Sequence, residues 1–130
     1  MQTVADFFQL YAKIYVNCEL DSFSQFISLP SMLLVGDTKI LFTDIDNLHR
    51  YILARIEKYR SLGVVHADFV LQHQLRLSEQ MQFASLYWRF YNAENKIIFS
   101  CHTSYTLQRY SEKWQIVAII LDDEDANFVK

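Results

Sequence analysis

From residue 65 onward, apolar side chains recur at every second position through successive runs, after a first half in which they recur at every third and fourth. Side chains align every 3.6 residues on a helix and every 2 on a strand, so this switch places helices first and strands second. A chain ordered in that way is expected to be α+β, with its helices gathered on one side of a sheet.

In the first half, Val4, Phe7, Phe8, Tyr11, Ile14 and Tyr15 form one stripe of a helix over 3–19, and Thr3 with Asp6 resembles a capping box. Asp21 is expected to cap a second, short helix carrying Phe23, Phe26 and Ile27, with Pro30 ending it. Met32–Val35 and Lys39–Phe42 flank Gly36-Asp37-Thr38, which is hairpin chemistry. Thr43 and Asp46 repeat the capping pattern before a long third helix, 44–61, striped by Ile45, Leu48, Ile52, Ile56 and Tyr59 and stopped near Gly63.

In the second half, Val65, Ala67, Phe69, Leu71, Leu75 and Leu77 share one face of a strand over 65–77, opposite His66, Asp68, Gln72, Gln74 and Arg76. Further strands are expected at 82–91, 96–109 and 114–122, with turns at Asn92-Ala93-Glu94-Asn95 and Ser111-Glu112. The later strands are apolar on both faces. Leu86, Trp88 and Phe90 oppose Tyr87 and Tyr91, and Trp114, Ile116, Ala118 and Ile120 oppose Val117, Ile119 and Leu121. A sheet with one solvated face alternates cleanly, so both faces are expected to be covered, the outer one by a two-fold copy of the chain.

At 130 residues, 52% apolar and 15% aromatic, the chain is expected to form one domain, 1–130, with an adequate core. Two glycines and one proline leave little room for linkers. The net charge of −3 is scattered and gives no basic stripe, so neither a nucleic-acid nor a membrane partner is expected. Arg50, Arg55, Lys58 and Arg60 on the long helix read as a solvated face rather than a phosphate site, and Asp122-Asp123-Glu124-Asp125 as a solvated end. Residues 1–6 show neither a basic n-region nor a long apolar run, so a cytoplasmic protein is expected, with Cys18 and Cys101 as free, packed thiols.

The order of helix, short helix, hairpin, long helix and four long strands resembles the nuclear transport factor 2-like superfamily over nearly the whole chain. Glu19-Leu20-Asp21 leading to Phe26 and Ile27, and the last hairpin, Gln108 to Trp114, carry the local likeness. The resemblance implies a cone-shaped, strongly curved mixed or antiparallel sheet of cystatin-like type, wrapped around the N-terminal helix and the long third helix. The superfamily hosts ketosteroid isomerases, scytalone dehydratase, SnoaL-like cyclases, binders and adaptors on one scaffold. Aligned through Leu20-Asp21, the isomerases' tyrosine falls on Tyr11, their aspartate base on Val35 and their second acid near Tyr105-Thr106. Without a base, proton abstraction from carbon has no acceptor, and the nearby Asp37 sits in a turn.

The candidate acid–base groups are then Tyr11, His73 and His102. His73 interrupts the apolar face between Leu71 and Leu75, and an imidazole there is either a general base, a ligand contact or a satisfied core or edge histidine. His102 shares a face with Ser100, Ser104 and Thr106, small hydroxyls that line either a pocket or the outer sheet face. His66 and Asp68 at i and i+2 either orient one another or add exposed polarity. Phosphate-binding glycine loops, HExxH, paired cysteines and the GxSxG elbow do not occur, and no cofactor or metal is expected, although His66, His73 and His102 would have to converge to hold one. The reading is a homodimeric small-molecule-binding domain. Tyr11, Tyr15, Val35, Phe69, His73, Trp88, His102 and Tyr105 line an apolar pocket that takes a small hydrophobic or cyclic molecule. The alternatives are a SnoaL-like or dehydratase-like enzyme and a protein-interaction module.

Overall fold

A computed structural model describes residues 2–121. The acidic end and Phe128, the latter a further candidate cover for the sheet, lie outside the described residues.

Helix α1 spans Val4–Asn17. Thr3 caps it, its hydroxyl accepting from the Asp6 N–H at 3.0 Å. Val4, Phe7, Phe8, Tyr11, Ala12 and Ile14 are buried along its inner face. The helix closes at Cys18 in the left-handed region, and the Glu19 N–H bonds back to the Ile14 carbonyl.

The following turn, Leu20–Gln25, is a 3-10 helix. Asp21 does not cap it. Glu19 occupies that position without a side-chain bond, and Asp21 instead lends its carbonyl to the Ser24 hydroxyl at 3.1 Å. Pro30 does not end this helix either. It lies inside strand β1 (Ile27–Val35), where pairing with the last strand jumps from Ile27↔Ile116 to Met32↔Ala118. A residue without an N–H is tolerated where the ladder is interrupted.

Gly36, at φ +56°, turns β1 into β2 (Thr38–Phe42). Helix α2, the long helix, spans Ile45–Ser61. Its cap is Asp44 rather than Thr43: the carboxylate accepts from the Asn47 N–H at 2.8 Å and from the Asn47 amide at 3.0 Å. Both residues stand three before a polar side chain, so sequence spacing alone left the cap one position out. Leu48, Ile52, Ile56 and Tyr59 are buried, and Gly63 leaves the helix at φ +91°.

Strands β3 (His66–Arg76), β4 (Met81–Tyr91), β5 (Ile97–Tyr110) and β6 (Lys113–Leu121) form an antiparallel meander. The β1–β2 hairpin joins it through a parallel β1–β6 pair, giving the order β2-β1-β6-β5-β4-β3. The mixed sheet is curved and open, with β2 and β3 as its edges.

Two of the sheet's irregularities decide which side chains of β3 and β6 face the helices. In β3 the pairing passes from Leu71↔Leu86 to His73↔Ser85, so Gln72 is an extra residue. Cross-strand partners share a face, and one inserted residue reverses every side chain beyond it. Leu75 therefore leaves the face of Ala67, Phe69 and Leu71; it pairs with Phe83 and is exposed. In β6 the pairing passes from Leu107↔Ile116 to Thr106↔Ala118, with Val117 extra. Trp114 and Ile116 thus share the inner face with Ile119 and Leu121, while Ala118 and Ile120 turn outward, which replaces the simple alternation expected for this strand. The inner face of β4, Ala84, Leu86, Trp88 and Phe90, is buried against α1 and α2.

Candidate functional site

The inner sheet face and the two helices do not fill the space between them. A cavity of about 60 Å³ remains, walled by Tyr11 and Tyr15 of α1, by Tyr51, Arg55 and Tyr59 of α2, and by Trp88, Thr103 and Tyr105 of the sheet, with Leu33, Ile52 and Leu121 among its apolar surfaces. One water needs roughly 10–15 Å³ and an engineered cavity of about 150 Å³ takes benzene. The void therefore admits a few waters or a small organic molecule.

Its polar groups are few and placed. Trp88 Nε1 donates to the Tyr105 hydroxyl at 3.0 Å, which fixes both rings on the wall. Arg55 Nη2 donates to the Tyr59 hydroxyl at 2.6 Å and Nη1 to the Tyr51 hydroxyl at 3.4 Å. The guanidinium also lies 5.5 Å from the centre of the Tyr59 ring and 5.9 Å from that of Tyr51. Burial lowers the Arg55 value, but Tyr59, Tyr15 and Tyr51 more than offset this and it is raised. Arginine is cationic at any physiological pH.

Burial pushes the hydroxyls of Tyr11, Tyr15, Tyr59 and Tyr105 above the ordinary tyrosine value. A tyrosine whose pKa is raised by folding favours the folded state below the unfolded value of about 10 and loses that contribution as pH rises through the folded value. Ultraviolet titration of the native protein is expected to leave these hydroxyls neutral until alkaline unfolding releases their protons together. Ionisation of all 8 tyrosines before unfolding would contradict the burial described.

Of the side chains singled out from sequence, Tyr11, Tyr15, Trp88 and Tyr105 meet at this cavity. Phe69 packs behind it on Trp88, ring centres 5.2 Å apart, and Val35 packs against the core beside the hairpin turn; neither is on the cavity wall. The histidines lie elsewhere. The extra Gln72 turns His73 to the outer face, where it is exposed opposite Ser85. His102 is also on the outer face, its ring centre 4.8 Å from that of Tyr87, and Ser100, Ser104 and Thr106 share that face. Neither His73 nor His102 borders the cavity with Tyr11, as the sequence reading expected of at least one of them. Asp68 does not orient His66. It takes Arg89 Nε at 2.7 Å and the Tyr91 hydroxyl at 3.1 Å. Among the described residues, no three His, Cys, Asp or Glu side chains gather closely enough to share a metal ion.

Sequence reasoning missed Arg55 by grouping it with Arg50, Lys58 and Arg60 as solvated charge. The signal was its spacing. Arg55 stands seven after Leu48, three after Ile52 and four before Tyr59, so it continues the apolar stripe of α2.

Comparison with known proteins matches residues 2–124 to the family model described as "NTF2-like protein (DUF6841)". No curated protein matches the sequence. Among solved structures, Aln2 from a Streptomyces species superposes with a TM-score of 0.75 at 13% identity, over 94% of this chain and 89% of that one. An NTF-2 like protein of unknown function from Shewanella oneidensis gives 0.69 at 11% identity, over 92% and 96%. A domain of unknown function with a cystatin-like fold from Nostoc punctiforme gives 0.70 at 9%, over 93% and 75%. At such identities these likenesses concern the fold.

Proposed function

Because this chain belongs to the NTF2-like family DUF6841, we propose that it uses the hollow of that fold to bind a small molecule between α1, α2 and the concave sheet. The observation that carries the reading is the cavity wall itself. Apolar and aromatic side chains supply most of its surface, and a few fixed donors, Arg55 and the tyrosine hydroxyls, converge on it. Small-molecule sites have that composition: greasy walls for affinity and a few polar groups for orientation.

The enzyme alternative assigned acid–base work to His73 or His102, and both side chains lie on the far side of the sheet from the cavity. The raised tyrosines and the charged Arg55 donate hydrogen bonds and do not accept protons near neutrality. Val35 stands where the isomerases need a carboxylate, and Asp37 is exposed in the hairpin turn. Turnover of a β,γ-unsaturated ketone is accordingly expected to stay at the buffer rate; turnover well above it that is abolished in Tyr11→Phe would overturn this.

The binding reading is tested by native mass spectrometry of freshly purified protein. The expected spectrum shows the 15.4 kDa chain, singly or paired, carrying an added small mass that denaturation releases. Chains of bare mass only, together with no response of cavity-wall residues to a panel of small molecules, would contradict it. A homodimer closed over the outer sheet face belongs to the same proposal. Among the described residues, no helix is long and apolar enough to cross a membrane.

A further inference from the structure

Among the described residues nineteen wall the cavity, and Arg55 is the one of these with a formal charge at neutral pH. Among the described residues no carboxylate pairs with it; its partners are the neutral hydroxyls of Tyr51, Tyr59 and Tyr15 and the ring faces of Tyr51 and Tyr59. A guanidinium withdrawn from water is usually matched by an anion, because the charge loses hydration that neutral acceptors only partly replace. It carries five N–H donors in a planar fork, and a carboxylate accepts two of them in parallel.

We propose that the cavity takes a short-chain monocarboxylate, its carboxylate paired with Arg55 and its apolar body against the walls formed by Leu33, Ile52 and Trp88. This deepens the small-molecule reading and rests on it. Three features select the class. One positive charge in the wall matches one negative charge, so a phosphate dianion would bring an uncompensated charge into an apolar space. A void of about 60 Å³ is well below the roughly 150 Å³ that holds the six carbons of benzene, so it favours the smallest acids, of one or two carbons. The hydroxyls of Tyr51 and Tyr59 already hold the fork in place, so little side-chain freedom is lost on binding.

The test is isothermal titration calorimetry of the full chain at neutral pH with acetate, with acetamide as its neutral isostere, and with inorganic phosphate. Acetate is expected to bind at least tenfold more tightly than acetamide and than phosphate. Arg55→Met is expected to weaken acetate at least tenfold and leave acetamide unchanged, with Arg55→Lys, which keeps the charge and loses the fork, between the two. Should Arg55→Met fail to fold, Arg55→Lys and the comparison of acetate with acetamide on the unmodified protein still decide. Equal affinity for acid and amide, tighter binding of phosphate, or an unchanged acetate affinity in the Arg55 variants would overturn the carboxylate assignment while leaving a binding cavity. Binding of none of these molecules would overturn the assignment and count against the cavity as a site for molecules of this size.

Discussion

Phe8→Ala is expected to lower the unfolding free energy by about 3–5 kcal/mol, the range for removing a fully buried aromatic ring. Phe8 is fully buried, and its ring centre lies 4.6 Å from that of Tyr105, 6.0 Å from Tyr11, 6.2 Å from Phe69 and 6.4 Å from Trp88. It is therefore the point where α1, β3, β4 and β5 meet. Domains of ordinary stability have about 5–15 kcal/mol to lose, so the variant is expected to sit at the edge of folding at 37 °C. Leu10→Ala, two residues along the same helix but 45% exposed, is expected to change stability by less than about 1 kcal/mol. Urea unfolding of both variants checks this through the midpoint at unchanged slope. Equal destabilisation by the two would mean that the inner face of α1 is assigned wrongly.

The second large effect concerns assembly. Tyr87→Glu is expected to convert a dimer to monomer or aggregate, because a charge buried in a protein interface without a partner costs several kcal/mol, a loss of roughly a hundredfold or more in association. Tyr87 is the residue to change, since it faces outward with Val70 and His102 whereas Trp88 faces the helices. Around it the outer face carries Leu34, Phe83, Ala118 and Ile120, all half-buried, with Met32, Leu41, Val70 and Leu75 exposed toward the two edges. A face of this kind left in water would be unusually apolar for a monomer. Small side chains at its middle, Ser85, Ser104 and Thr106, allow close approach of a second sheet. Analytical ultracentrifugation of the unmodified protein at low micromolar concentration is expected to give twice the chain mass of 15.4 kDa, and a stable monomer there would contradict the proposal.

The two long helices were legible in the sequence because α1 and α2 each show a stripe of period 3.6 and a capping residue, and those signals are local. The long helix was found to within a residue of its start even though the cap proved to be Asp44. What sequence could not supply was the face of each strand beyond an irregularity. Gln72 and Val117 are the inserted residues of β3 and β6, and neither is a glycine or otherwise marked, so simple alternation runs straight through them. That placed His73 and Leu75 inside and set Trp114 against Ile119, and in each case the pairing shows otherwise. His102 was harder for a different reason. Ser100, His102, Ser104 and Thr106 alternate with Cys101, Thr103, Tyr105 and Leu107, and polarity alone does not say which set faces a cavity. Aromatic bulk would have decided it, because Tyr105 belongs with Trp88 and Tyr11 in the core. The tyrosines of α1 were found by their stripe. Arg55 has the same placement on α2, but a stripe defined by apolar residues leaves a charged one out.

Whether the cavity is a binding site is tested most directly by the indole N–H signals of the two tryptophans. Trp88 stands on the cavity wall, while Trp114 bonds the Gln2 carbonyl at 3.2 Å away from it. In ¹H–¹⁵N spectra recorded during titration with a panel of small acids, amides and cyclic molecules, at least one compound is expected to shift the Trp88 indole signal in a saturable manner while that of Trp114 stays in place. A Trp88 signal that no compound moves, or that moves only together with Trp114 as the whole fold responds, would contradict the claim.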